Sequence, residues 1–244
     1  MDETKLLLSR LDDLIYLSTR EGCASMGFLN ERECAVAIGY LNNTGVKFSV
    51  DGGYRNANRI YICVHNDLTE PYFPIKALKV SSRGKRELTH RDYLGSLMGL
   101  GIKRECIGDI IRLNDKEAVV FVRDEIAEHI VRDLDRIGRE SVDICGFDGN
   151  KDSLCSITEN LKFIVTSMRV DNFVSSCINS SRAEAERLIA GDMVFVNYLQ
   201  VKKPSQMIKQ NDVISIRGYG KYIVGSTIGK TKRERLVINV MHYI

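Results

Sequence analysis

Arginines and lysines recur beside short apolar segments in the last third of the chain, and their placement suits contact with a polyanion. Arg169 stands just before one apolar stretch, Arg182 opens the next, and Arg187 lies one turn further on. Lys202 and Lys203 fall in a loop after a short strand, Arg217 ends another strand, and Lys221 follows it. Guanidinium forks bind phosphate oxygens in pairs, and helix N-termini add unpaired N–H groups and a positive dipole end. Tyr219 and Tyr222 lie beside Arg217 and Lys221, where they would either stack on bases, at ~1–3 kcal/mol per base, or pack in the core or its rim. From Met168 to Ile244 the chain carries 12 Lys/Arg against 6 Asp/Glu, net +6, while the rest is net −3. A basic end on a mildly acidic body suggests that the end meets a polyanion. A solvated basic face on an ordinary domain would have the same composition.

Other constellations carry less. His90-Arg91-Asp92 has the order of a kinase catalytic loop, but the chain has neither a D-F-G triplet nor a glycine-rich phosphate loop on a strand pair. Gly225-Ser226-Thr227-Ile228-Gly229-Lys230-Thr231 has one residue too few between its glycines for a phosphate-binding loop. It reads instead as a hairpin tip, on which Lys230, Lys232, Arg233 and Arg235 would extend the basic surface. Arg104 occupies the place of the third glycine that a dinucleotide fingerprint would need after Gly99-Leu100-Gly101. The seven cysteines (23, 34, 63, 106, 145, 155 and 177) form no C-x-x-C pair and the four histidines are scattered, so reduced, idle thiols are expected and neither a metal nor a cofactor. His90, Arg91, Lys103 and Arg104, with Arg83, Lys85 and Arg86 before them, could form a second RNA surface or a solvated basic loop.

The elements that must position these residues follow from periodicity. Leu6, Leu7, Leu11, Leu14, Ile15 and Leu17 repeat at helical spacing, and a second helix is expected over 30–41, with Asn30 and Glu33 as a capping box. Together they predict an N-terminal helical segment, residues 1–45. From 46 to 150, strands and helices alternate: strands at 46–50, 60–64, 75–80, 107–113, 118–122 and 142–147, with helices at 89–98 and 125–137. That order is the split β-α-β sandwich of ferredoxin (RRM-like) type, which hosts many functions. Asp148–Ser153 is polar and carries a glycine, so it reads as the linker to a last domain over 157–244. There, two short helices open the domain, Val170 to Ile178 and Ser181 to Ile189, with Gly191 expected as a left-handed C-cap. Strands at 193–196, 212–217 and between Tyr222 and Val240 would form a small sheet beneath them. The fold class is therefore α+β. No apolar run reaches the ~18 residues of a membrane span, and Met1-Asp2-Glu3-Thr4-Lys5 lacks the order of a secretory signal, so a cytoplasmic protein is expected.

Arg169-Val170-Asp171, Ser181-Arg182 with Ala185 and Leu188-Ile189, Gly191 to Asn197, Lys203-Pro204-Ser205 and Asp212 resemble the S-four RNA-binding domain in order and spacing. The resemblance implies RNA-facing positions at Arg169, Ser181, Arg182, Arg187, Asn197, Lys202, Lys203 and Arg217. Val170 replaces the usual leucine, and Tyr198 the usual glycine after the asparagine, which leaves the turn type open there. Upstream, Phe73-Pro74-Ile75, His90 to Gly95, Gly99 to Arg104 and Ile107 to Ile110 resemble YlmH-type proteins, as does the closing Arg217-Gly218-Tyr219-Gly220-Lys221. Lys221 joins the RNA-binding candidates on that ground. The resemblance implies a non-enzymatic bacterial protein that binds structured ribosomal RNA or tRNA on the large ribosomal subunit, with links to stalled-ribosome quality control and to cell-division proteins. Two rival readings remain: an RNA-modifying enzyme of the pseudouridine synthase type, although no catalytic aspartate domain precedes the module, and a protein-interaction scaffold in cell division.

Overall fold

A computed structural model describes residues 3–55, 57–154 and 158–243. Cys155 and the expected first residues of the N-terminal segment and of the last domain, Met1 and Ile157, lie outside the described residues. The chain divides into two compact units, Met1–Cys155 and Ser156–Ile244.

The first unit begins with α1 (Glu3–Glu21), β1 (Cys23–Leu29), α2 (Glu31–Thr44), β2 (Phe48–Asp51) and β3 (Ile60–His65). The capping box at Asn30 is present, and Gly45 ends α2 in the left-handed conformation that glycine adopts without Cβ strain. Sequence periodicity predicted helices alone before residue 46. The structure instead inserts β1, which pairs with β3 in a sheet of order β1-β3-β2. The expected boundary at 45/46 therefore cuts through one packed layer. The segment Cys23-Ala24-Ser25-Met26-Gly27-Phe28-Leu29 has little β-branched character and no apolar alternation, because its last four residues are all buried.

The unit continues through β4 (Ile75–Ser82), α3 (His90–Gly99), β5 (Ile107–Arg112), β6 (Glu117–Arg123), α4 (Asp124–Asp133), β7 (Arg136–Ile137) and β8 (Glu140–Gly146). The sheet order is β5-β6-β4-β8-β7, with antiparallel pairs throughout, which is the ferredoxin-like arrangement of the β-α-β-β-α-β series. α4 stops four residues short of the predicted end. Ile137 is still buried, but it reaches the core from a hairpin whose turn carries Gly138 at φ 59°. Strand alternation divides the sheet's two faces. Leu78, Val80, Ala118, Val120 and Val122 pack with Leu97 of α3 and Ile130 of α4. Ala77, Val119 and Phe121 turn the other way and pack against Phe28 of β1 and Tyr61 of β3. Tyr54 stacks on Phe121 at 5.0 Å, and a Cβ at Gly53 (φ 91°) would lie 2.5 Å from the Phe121 ring, so that turn requires glycine.

The second unit holds β9 (Thr158–Val165), α5 (Val170–Cys177), α6 (Arg182–Ala190), β10 (Val194–Val196), β11 (Leu199–Gln200), β12 (Val213–Ile216), β13 (Gly220–Lys230) and β14 (Leu236–Tyr243). They form one antiparallel sheet of order β11-β10-β12-β13-β14-β9. Val170, Phe173 and Val174 of α5 and Ala185 and Ile189 of α6 pack on Val194, Ile214, Val224 and Val240 of that sheet. Burying each of these valine, isoleucine and phenylalanine side chains contributes ~1.5–3 kcal/mol, which holds the two helices on the sheet.

Candidate nucleic-acid interface

A buried carboxylate organises the helix platform. Asp171, in the first turn of α5, is fully buried. It accepts hydrogen bonds from Arg169 Nε and Nη2 (3.1 and 2.7 Å), from Arg182 Nη2 (2.6 Å) and from the Asn172 N–H (2.8 Å). Burial works to raise the Asp171 pKa. The two guanidinium hydrogen bonds and the backbone N–H outweigh it and hold the carboxyl below its ordinary range. One negative charge thus holds two positive ones. The Arg169 and Arg182 side chains remain 37% and 51% exposed. Arg182 gives Asp171 only Nη2, and about half of its side chain is exposed.

The backbone brings the two lysines to the same place. The Val170 N–H donates to Gln206 O (2.9 Å) and the Asp171 N–H to Pro204 O (3.1 Å), which lays the segment after β11 along the start of α5. Lys202 and Lys203 are exposed there and, among the described residues, make no ion pair. Ser181 caps α6, its hydroxyl accepting from the Glu184 N–H at 3.2 Å. Arg169, Ser181, Arg182, Lys202 and Lys203 are therefore gathered around the two helix starts.

Other predicted positions have neighbours of their own. Arg187 lies five residues after Arg182, about 140° around the helix, and pairs with Glu184 at 2.9 Å. Asn197 spends its side chain on the fold: its Nδ2 donates to Asp212 (2.8 Å) and its Oδ1 accepts from the Val213 N–H (2.9 Å). Asn197 and Tyr198 have φ of 49° and 66° and join β10 to β11 by a two-residue turn of type I′, which answers the question raised by the missing glycine. Lys221, predicted to contact RNA, is only 8% exposed, with Nζ 5.6 Å from the Tyr198 ring centroid. The Arg217 guanidinium lies 4.9 Å over the Phe195 ring and the residue is exposed. The expected left-handed C-cap at Gly191 has moved one residue on: Gly191 has φ −85° and Asp192 has φ 59°.

Two family profiles match the chain. The one described as "Putative RNA-binding domain in YlmH" matches residues 69–150, and that of the S4 domain matches 168–214. The chain thus carries two domains of known type, a YlmH-type RNA-binding domain and, C-terminal to it, an S4 domain. It is 27% identical over 213 residues to the ribosome-associated protein quality control protein P2 of Bacillus subtilis (strain 168), covering 85% of this chain and 82% of that protein. It is also similar in fold to the cell division protein YlmH from Streptococcus pneumoniae: TM-score 0.52, 17% identity, 60% of this chain and 92% of that one.

The second basic set lies within the residues matched by the YlmH domain and is only partly a surface. Arg91 and Lys103 are exposed. Arg104 turns inward and donates to the carbonyls of Ile107 and Gly108. Arg59, which sequence reasoning did not single out, donates to Phe28 O (2.7 Å), Ile107 O (3.0 Å) and Arg104 O (3.4 Å), tying β1 to the start of β5. Burial, then the Arg59 charge, pushes the Arg104 pKa down to about 10. His90 is exposed, yet partial burial of the ring and then the Arg104 charge hold its pKa below the ordinary value. The sheet face that RRM domains use for base stacking is closed in this unit, because Phe121 and Val119 are fully buried on it. Among the described residues, no cluster of His, Cys, Asp and Glu could hold a metal ion, and no helix is long and apolar enough to cross a membrane.

Proposed function

We propose that this protein binds structured ribosomal RNA or tRNA on the large subunit of the bacterial ribosome, and that it does so without catalysis. One observation carries the reading: a buried Asp171 holds two half-exposed arginines at the starts of α5 and α6, beside two unpaired lysines. Cations fixed in place by a folded scaffold lose little entropy on meeting phosphates, and helix N-termini add N–H donors and dipole. Such a surface reads the shape of a folded RNA rather than its sequence. The name of the Bacillus subtilis relative supports the ribosome as the place, and that of the pneumococcal structure supports a connection with cell division.

Co-sedimentation of the full chain with bacterial ribosomal subunits tests the proposal. The wild type should travel with the large subunit, and Arg182→Glu should weaken binding at least about tenfold while circular dichroism stays unchanged. Lys202→Glu with Lys203→Glu, which touches no internal ion pair, should weaken it to a similar degree. Wild-type protein that stays at the top of the gradient, or folded variants that co-sediment normally, would refute the proposal.

A further inference from the structure

The hairpin joining β13 and β14 is built differently from the rest of its sheet. β12 pairs with residues 220–223 of β13 and no further. Beyond that point β13 has β14 as its partner, and two register shifts, between Val224 and Thr227 and between Thr227 and Gly229, bend the ribbon. Residues 226–230 and 232–235 are all exposed, and Ile228 is among them, so apolar burial does not account for this stretch. The S4 profile ends at residue 214, well before it.

Its tip is hydrogen-bonded and basic. The Glu234 N–H donates to Thr231 O (2.9 Å), which places Lys232 and Arg233 at the two central positions of a tight turn. Thr231 Oγ1 accepts from the N–H groups of Arg233 (3.4 Å) and Arg235 (3.2 Å), and the Thr231 N–H donates to Arg235 O (2.8 Å). Glu234 takes the left-handed position at φ 58°, where glycine is usual, and pairs with Lys230 at 2.7 Å. Among the described residues, the side chains of Lys232, Arg233 and Arg235 have no ion-pair partner. The turn therefore carries three exposed cations on a short backbone loop.

The tip also has a defined neighbour. Leu236, at its base, pairs with Val165, the last residue of β9. Four residues later the chain reaches Arg169, so at most ~14 Å of chain separates Val165 from the arginine clamp. We infer that the 230–236 hairpin is a second phosphate-binding element of this unit, meeting the backbone of the same folded RNA through Lys232, Arg233 and Arg235. The inference rests on the RNA-binding reading of the helix platform and extends it to residues outside the S4-matched region.

Filter binding of the full chain to bacterial large-subunit ribosomal RNA, from 50 to 300 mM KCl, tests it. The triple variant Lys232→Gln, Arg233→Gln, Arg235→Gln replaces exposed side chains only. Each lost phosphate contact flattens the slope of log affinity against log salt by ~0.7–0.9. The variant should therefore show a slope shallower by about 2–3 and an affinity at least about tenfold lower at low salt. If its slope and affinity match the wild type while Arg182→Glu binds weakly, the hairpin role is wrong and the platform reading stands. An affinity loss with an unchanged slope also refutes the hairpin role. Wild-type protein that fails to bind this RNA overturns both.

Discussion

Asp171 is the residue on which the platform turns. Removing its charge leaves Arg169 and Arg182 side by side without a counterion, and breaking a buried ion pair from one side is costly. Because both partners are half exposed, Asp171→Asn should destabilise the second unit by about 2 kcal/mol rather than the larger cost of a sealed pair. The sign of the pH dependence follows from the lowered carboxyl pKa. The stabilisation is fully present above the unfolded carboxylate value of about 3.9 and is lost as pH falls through the lower folded value. Urea unfolding from pH 7 down to pH 2 should show the gap between wild type and Asp171→Asn closing at the acid end; a gap that stays constant would contradict the assignment. Sequence order and the family resemblance together placed Arg169, Arg182, Lys202 and Lys203. They did not reveal which of the predicted cations are free, because pairing is decided by tertiary neighbours: Arg182 meets a carboxylate eleven residues away, and Lys221 lies against the ring of Tyr198.

At the scale of elements, periodicity located what has one buried face. α2 with its capping box, the β-α-β-β-α-β series and the paired helices of the second unit were all legible for that reason. β1 was hidden because a run buried on both faces has no alternation. β9 was not predicted, although Leu161, Phe163 and Val165 alternate inward along it. The covering of the ferredoxin-like sheet was also out of reach, since it depends on which face the N-terminal layer chooses. It has a testable consequence. If Phe121 is a core residue under Phe28 and Tyr54, Phe121→Ala should cost about 3–5 kcal/mol in unfolding of the first unit and leave RNA affinity within about twofold at a temperature where that unit is folded. A base-stacking role would reverse the pattern, with affinity lost and stability kept.

Across the whole chain, charge and fold divide along the same boundary. The net +6 from Met168 onward falls in the second unit, and the structure gathers part of it at the starts of α5 and α6 and part at the β13–β14 tip. The first unit places its most deeply set arginines, Arg59 and Arg104, on backbone carbonyls, where they tie its layers together. Charge counting alone could not separate these uses, because a guanidinium bound to a carbonyl and one facing solvent contribute equally to the sum. The account's central claim is electrostatic, and it is tested most directly by the affinity of the wild-type chain for large-subunit ribosomal RNA at 50 and 200 mM salt. Phosphate contacts from Arg169, Arg182, Lys202 and Lys203 alone predict a weakening of at least roughly 50-fold over that range. An affinity that changes less than about threefold would contradict it.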